Sequence, residues 1–447
     1  MNKAKIKSED MKVLKFGGTS VGSPERMKSV CNLITADGEQ KLVVLSAMSG
    51  TTNSLVEISD YLYKKNPEGA STIINQLERK YMSHVDELYE TEEWRAKTRD
   101  FLKEQFRYLR SFTKIHFTSF EEKVILAEGE IISTNMVTNY LLERGIKTIL
   151  LPALEMIRTD KNAEPDFHYI TEKCNYFMNE NPDYQIYITQ GFICRNAYGE
   201  VDNLLRGGSD YTACLIGAAL QVEEIQIWTD IDGMHNNDPR YVKGTTPVHQ
   251  LHFAEAAELA YFGAKILHPT CIQPAKFSGV PVRLLNTMAP EAHGTIINND
   301  FHEGKIKAVA ARDGNTCIRI NSSRMLLAYG FLRKVFEIFE TYRTSIDMIC
   351  TSEVGVSLTI DNTAHLADIV SELKKYGTVS VEENMCIICV VGDLRPENCG
   401  FESVACDALR EIPVRMISYG GSNHNISFVV KAEDKQRTLQ SLQDILF

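Results

Sequence analysis

A short apolar run, Lys12–Phe16, meets a lysine and then two glycines in "KVLKFGGTS". Read as a strand, it carries Lys15 to the carboxyl edge of a sheet, where ligands of open α/β sheets bind. Gly17 and Gly18 have no side chains, so backbone N–H groups there can approach an anion closely. Thr19 or Ser20 can then cap the helix that follows. This is phosphate-cradle chemistry, yet the lysine precedes the glycines, so the stretch is neither a P-loop nor a dinucleotide fingerprint. Taken alone, it reads equally as a tight strand-to-helix turn with an exposed lysine. A second glycine pair stands in "LLRGGSDYTA", where Arg206, Gly207, Gly208, Ser209 and Asp210 open a helix. Backbone donors at a helix N-terminus favour negative charge, and Arg206 offers a fork suited to a carboxylate. Asp210 either orients Lys15 or holds a metal, and Ser209 serves equally as an N-cap. In "WTDIDGMHNNDPR" a strand ends at Thr229-Asp230 and a turn-rich loop carries Asp232, Asp238 and Arg240. Its "DIDG" lacks the later glutamate of an EF-hand and is not a calcium loop. Lys265 of "FGAKILHP" can meet a phosphate, whereas His268 beside Pro269 reads as structural. Glu130, in "LAEGEIIST", is a carboxylate inside an apolar helix pattern. A buried glutamate needs a partner, and a bound ammonium is one.

Something must hold these groups together. "KVLKF", "KLVVLS", "IYITQGF", "EIQIWTD" and "VPVRLL" are short β-rich runs, and helical patterns lie between them over 68–112, 121–143, 210–220 and 252–263. That alternation predicts an α/β sandwich with a largely parallel sheet. The polar stretch 68–112 reads as a solvated helical excursion or lid. The last third changes rhythm. Residues 316–380 read β, α, β, β, α, β, and residues 386–446 repeat the order without its last strand, where the chain stops at Phe447. "SIDMIC" recurs as "PVRMIS" 68 residues later. A duplicated βαββαβ unit behind a catalytic-sized domain suggests a sensor, or else a dimerisation module. Cys386 and Cys389 fall in an apolar strand pattern. Three apart on a strand they face opposite sides, so they are core residues rather than a chelating pair.

Composition narrows the class further. The formal net charge of −11 and the lack of a long basic run argue against nucleic-acid binding. A local cationic pocket for small anions remains compatible with an acidic protein. No apolar stretch is long enough to span a bilayer. "MNKAKIKSED" lacks the apolar core of a signal peptide, so residues 1–10 are expected to be a disordered tail. Eleven cysteines without framework spacing suit a reducing cytoplasm.

The strings "KFGGTSVGS", "VVLSAMSGTTN", "GEIIST", "TQGFI", "RGGSDYTA", "WTDIDG…DPR", "FAEAAELAYFGAKILHP" and "TSEVGVSLTID" together resemble the aspartate kinases of the amino-acid kinase family. They run in family order from residue 11 over nearly the whole chain. The repeats resemble tandem ACT domains, the family's amino-acid-sensing modules, and the likeness is closest to the lysine-sensitive class. The resemblance implies a three-layer catalytic domain over 11–304 and two ferredoxin-like ACT repeats over 305–382 and 383–447, with no homoserine dehydrogenase domain attached. It implies transfer of the ATP γ-phosphoryl group to the side-chain carboxylate of L-aspartate, at the head of lysine, threonine and methionine biosynthesis. Lys15, Asp210 and Lys265 would be catalytic. Ser46, Thr52, Glu130, Arg206, Gly207, Gly208 and Ser209 would bind aspartate, with Glu130 on its ammonium and Arg206 on its α-carboxylate. Lys15, Phe16, Gly17, Gly18, Thr229, Asp230, His235, Arg240, Lys265 and Ile266 would hold ATP. Mg²⁺ would be held mainly through ATP phosphates, without a protein cage. Met325, Ser345, Ile346, Asp347, Thr351 and Glu353 would bind an amino-acid effector, lysine by the resemblance, in a homodimer joined through the repeats. Two departures stand out. His235 replaces a common tyrosine beside the nucleotide, where it can still stack. Leu327-Ala328 replaces the His-Ser of lysine-sensitive relatives, which predicts weaker lysine inhibition. A kinase of the same fold acting on glutamate, or a non-catalytic sensor, are the alternative readings. The sensor would require loss of Lys15, Asp210 or Lys265, and all are present.

Overall fold

The structure, a computed structural model, describes residues 11–204, 207–263, 267–322 and 329–447. They fall into two compact units, one within Met1–Gly233 and Leu267–Asn299, the other within Met234–Ile266 and Asp300–Phe447.

The first unit is built on strands β1 (Lys12–Phe16), β2 (Lys41–Leu45), β3 (Thr148–Leu151), β4 (Ile186–Gln190), β5 (Ile193–Arg195), β6 (Val201–Asn203) and β7 (Glu224–Thr229). After β8 (Gln250–His252), which belongs to the second unit, the chain returns with β9 (Val282–Asn286) and β10 (Thr295–Asn298). Within the first unit the sheet runs β3-β4-β2-β1-β7-β9-β10. The neighbours are parallel except β10, which is antiparallel to β9. Its helices are α1 (Pro24–Thr35), α2 (Thr51–Tyr63), α3 (Pro67–Leu88), α4 (Glu92–Ser111), α5 (Ser119–Glu143), α6 (Ala153–Met156), α7 (Phe167–Glu180) and α8 (Gly208–Leu220). Past α9 (Phe253–Tyr261) of the second unit comes α10 (Gln273–Ser278).

Side chains alternate between the faces of a strand, and that alternation places the site. Leu14, Phe16, Val43 and Leu45 enter one core with buried residues of α1, α2 and α5. The opposite face receives α8, which approaches so closely that a Cβ on Gly217 would run into the Ile225 side chain. Val13 is in register with Ile225, so Lys15, two residues on, emerges on the α8 side. The stretch 68–112 forms α3 and α4. They bury Ile74, Leu77, Tyr81, Val85, Leu102, Phe106 and Leu109 in the same core as α2 and α5. The many exposed charges of these helices hide a regular apolar stripe, so the excursion is a packed layer.

In the second unit, β11 (Ile306–Asn321), α11 (Phe331–Thr341), β12 (Met348–Thr351), β13 (Gly355–Ile360), α12 (Leu366–Leu373), β14 (Thr378–Gly392), α13 (Phe401–Ala408), β15 (Met416–Tyr419), β16 (Asn425–Lys431) and α14 (Lys435–Leu446) follow in order. Their sheet runs β12-β13-β11-β14-β16-β15 and is antiparallel throughout. Cys386 and Cys389 sit on β14, both fully buried.

Two departures from the expected division appear here. First, β11 serves both repeats. Its second half pairs Asn321 with Thr378 and Ile318 with Val381, while its first half pairs Val309 with Val390 and Arg312 with Ile387. The ladder shifts register in between, where Gly314 (φ 79°) and Asn384 (φ 56°) take left-handed turns. The strand lacking at the end of the second repeat is thus supplied by Ile306–Arg312, residues expected to belong to the first. An exposed ladder edge seeks a partner, and the nearest free strand lies upstream in the chain. Second, Met234–Ile266 groups with the C-terminal residues and not with the parallel sheet, so the units do not divide at 304/305. Val309 N donates to Asn236 O (2.8 Å) and Asn237 Nδ2 to Leu439 O (3.0 Å), and Val242 enters the core of the second repeat.

Candidate active site

At the carboxyl ends of β1 and β2 a cavity of about 500 Å³ opens in the first unit. Lys15, Gly18, Ser46, Thr52, Glu130, Gly207, Gly208, Ser209 and Asp210 all line it, residues far apart in sequence that the fold brings together. The Lys15 ammonium lies 2.7 Å from the Asp210 carboxylate, and both side chains are mostly buried. Three structural causes produce this pair: the alternation of β1, the packing of α8 on the sheet, and the position of Asp210 in the first turn of α8. Gly207 opens that helix with φ 69°, and no side chain caps it. Its first N–H groups therefore remain available to an anion. A Cβ on Gly208 would overlap Phe192, and one on Gly18 would come within 2.8 Å of the Ala47 carbonyl. The close approach of Phe192 and of the Ala47 carbonyl is what requires glycine at these positions.

The opposite wall is carried by α5. Glu130 is 5% exposed; its Oε1 accepts from Ala47 N at 3.2 Å, and its Oε2 has no partner. Burial pushes the carboxyl up to about 7, with the Ala47 N–H pulling the other way. Ser46 Oγ donates to Ser209 Oγ (2.9 Å), joining the β2 side to the α8 side. One wall thus offers a cation and helix N–H groups, and another an unsatisfied carboxylate. Such a cavity suits a zwitterion bearing an extra anionic group.

Other predicted residues lie elsewhere. Phe16 is fully buried on the far face of β1, stacked on Trp228 with ring centroids 5.7 Å apart, so alternation keeps its side chain from a nucleotide. Gly17 stands beside Lys15, where a Cβ would come within 3.4 Å of Nζ. Thr229 ends β7, next to β1, and its hydroxyl donates to Oδ1 of the following Asp230 (3.1 Å). His235 and Arg240 belong to the second unit. There His235 Nδ1 is 3.3 Å from Thr245 Oγ1, and the exposed Arg240 holds Asp238 with Nε at 2.9 Å and a terminal nitrogen at 2.7 Å. Arg206, Lys265, Ile266 and Met325 lie outside the described residues. Of the effector set, Ser345, Ile346 and Asp347 lead into β12, Thr351 ends it and Glu353 follows, exposed. The Asp347 side chain is buried, bound by Arg312 (2.9 Å) and Tyr261 (3.0 Å), with Oδ2 unpartnered.

Phe192 and Asn53 also line the cavity. Both stand inside strings already singled out, "TQGFI" and "VVLSAMSGTTN". Glu128 stands in "LAEGEIIST" two residues before Glu130, in the same apolar helix pattern, and was passed over. It is 3% exposed, Oε2 has no partner, and burial pushes its carboxyl up to about 8. The folded protein therefore holds this proton more tightly than the unfolded chain does. Stability is greatest below the ordinary glutamate value and falls as pH rises through the window from about 4.5 to about 8. Glu128→Gln should flatten that fall and raise the melting temperature at pH 8 but not at pH 5. Parallel melting curves for both proteins that lose equally with pH would refute it.

The profile of the amino acid kinase family matches residues 10–286, and that of the ACT domain matches 388–446. The chain belongs to the amino acid kinase family. It is 33% identical to lysine-sensitive aspartokinase 3 of Escherichia coli, over 97% of this chain and 99% of that one. Against aspartokinase 1, chloroplastic, of Arabidopsis thaliana the identity is 35%, over 97% and 80%. The crystal structure of E. coli aspartokinase III in complex with aspartate and ADP superposes with a TM-score of 0.83 at 32% identity, covering 98% of this chain and all of that one. Within the family the chain is an aspartokinase: an ATP-dependent aspartate kinase regulated through its ACT domains.

Proposed function

We propose that the cavity beside the Lys15–Asp210 pair takes L-aspartate and that the phosphoryl group crosses to it over Gly17-Gly18. The observation that carries this reading is the unpartnered Oε2 of Glu130 in the same cavity as the Lys15 ammonium. Glu130 takes the α-ammonium. Arg206 takes the α-carboxylate, and Gly207, Gly208 and Ser209 close that wall, with Ser46 joined to Ser209 (2.9 Å) and Thr52 lining the same cavity. An oxygen of the aspartate side chain attacks Pγ, the bond from Pγ to the β,γ-bridging oxygen breaks, and ADP leaves with that electron pair. The nucleophile has an ordinary pKa of about 3.9 and is already ionised, so no general base is required. Positioning and charge neutralisation carry the transfer. Lys15 neutralises the moving phosphoryl group, and Asp210 holds Lys15 in place. Thr229, at the end of β7, and Asp230, just past it, hold the nucleotide in the first unit.

Magnesium fits this donor set as an ion carried by the nucleotide. Asp210 is engaged by Lys15, so Mg²⁺ would keep phosphate oxygens and waters as its ligands. When bound, the ion would neutralise phosphate charge.

The effector reading places an amino acid at Ser345, Ile346, Asp347, Thr351, Glu353 and Met325. The unpartnered Asp347 Oδ2 supports a cationic ligand, and a similar chain, E. coli aspartokinase III, has been crystallised with lysine and aspartate. A homodimer through the repeats, in the cytoplasm, completes the reading. An ADP-release assay over a panel of amino acids tests it, with turnover expected for aspartate and not for glutamate. Lysine titration at fixed aspartate and ATP should give weak inhibition that Leu327→His with Ala328→Ser strengthens. Potent inhibition, unmoved by that pair, would remove those two positions from effector binding.

A further inference from the structure

The segment Pro67–Ser111, α3 and α4, has no role in the chemistry described so far. Its contact with the cavity is specific. The loop Ser46–Gly50 and the start of α2 form one rim of the cavity. Ala47 N donates to Glu130, Ser49 N to the Gly18 carbonyl (3.2 Å), and Thr51 N to the Met48 carbonyl (3.0 Å). Gly50 turns the chain with φ 81°, and no side chain caps α2. From behind, α3 reaches the same rim at two successive residues. The hydroxyl of Tyr81 lies 2.8 Å from Thr51 Oγ1, with both residues fully buried, and Lys80 Nζ donates to the Ser49 carbonyl at 3.1 Å. The Tyr81 ring is itself held against Phe106 of α4, centroids 6.0 Å apart.

We propose that Tyr81 is a positioning residue for aspartate: its buried hydrogen bond to Thr51 fixes the register of the loop that carries Ser46 and of the first turn of α2 that carries Thr52, and α3–α4 is the buttress that holds them. Hydrophobic packing alone would leave the loop free to slide by fractions of an ångström, because apolar contact is non-directional. A buried hydroxyl pair is directional and costly to break. Loops of this kind hold a reactant in the geometry from which it reacts, so small displacements are felt in binding and turnover. The contact lies beside Gly129 and Glu130 at the end of β2, whereas Thr229 ends β7 on the other side of β1. It should therefore act on aspartate and spare ATP. The inference rests on the assignment of this cavity to aspartate.

The test is a double-mutant cycle of Tyr81→Phe and Thr51→Val in the full-length enzyme, with steady-state kinetics in both substrates and melting temperatures. Each single change should raise KM for aspartate about 3- to 10-fold, the scale of one net hydrogen bond. KM for ATP should stay within about twofold, on the same scale. The double variant should show roughly the effect of one change and not the product of two, because the two groups act as a single contact. Its melting temperature should recover toward that of the unmodified enzyme, since no hydroxyl is left unpaired. A purely structural role predicts the opposite split: lowered melting temperatures with both KM values unmoved, which overturns the proposal. Glu130→Gln, measured alongside, separates the two ways of failing. Should it raise KM for aspartate while the Tyr81 and Thr51 changes leave that value alone, positioning by α3 is wrong and the aspartate site stands. Should the changes at all three residues act on ATP instead, the cavity assignment falls and this inference falls with it.

Discussion

Lys15→Met should lower kcat by about 100-fold or more while the protein stays folded, the scale on which one preorganised electrostatic contact to a transition state is lost. Lys15 sits near the end of β1 with its ammonium 2.7 Å from Asp210, beside Gly17, where a Cβ would come within 3.4 Å of that ammonium. Charge moves through the transferring phosphoryl group during reaction, so a fixed cation there acts more on the transition state than on either substrate. KM for aspartate should change far less than kcat. Methionine keeps most of the apolar stem, which limits damage to the sheet, though it leaves Asp210 without its cation. Circular dichroism and the melting temperature check that the fold persists. Near-normal turnover in a folded variant would take Lys15 out of the mechanism.

The second large effect belongs to Glu130. Glu130→Gln should raise KM for aspartate by a factor corresponding to about 2–5 kcal/mol, the usual cost of truncating one partner of a buried charged contact. KM for ATP should hold. The wild-type enzyme should also show a pH signature. Burial disfavours the charged form of the Glu130 carboxyl and pushes its pKa up to about 7. An ammonium binds the ionised form, so a protonated Glu130 must first lose its proton. KM for aspartate should therefore rise as pH falls below about 7, approaching tenfold per pH unit. The dependence should vanish in Glu130→Gln, whose amide does not titrate. A KM for aspartate that is indifferent to the substitution, or a rise in KM for ATP in its place, would move the ammonium contact elsewhere. The sign differs in an instructive way from Glu128, one helix residue away from Gly129. There the same burial acts on stability, and raising the pH destabilises the protein.

Much of this was legible in the order of residues. The Lys-Phe-Gly-Gly string at a strand end, the second glycine pair with Asp210, and a glutamate inside an apolar helix each announce a contact that must be satisfied. Backbone periodicity and glycine's lack of a side chain are local properties, so the sequence alone determined a parallel α/β unit, the duplicated βαββαβ pattern, the strings of the amino acid kinase family and the candidates for its chemistry. It left open whether Lys15 was a ligand-binding cation or an exposed turn residue, and whether Asp210 served that lysine or a metal. Only the tertiary structure decided that Lys15 and Asp210 form a pair, because that depends on which face of β1 receives α8. Only it decided that Phe16 turns away from the cavity, that Ile306–Arg312 completes the second repeat, and that Met234–Ile266 groups with the C-terminal unit. It also turned a polar-looking excursion into a layer reaching the cavity rim through Tyr81. Each of these rests on contacts between residues distant in the chain, where the gain is buried area and satisfied hydrogen bonds. No window of neighbouring residues carries that information.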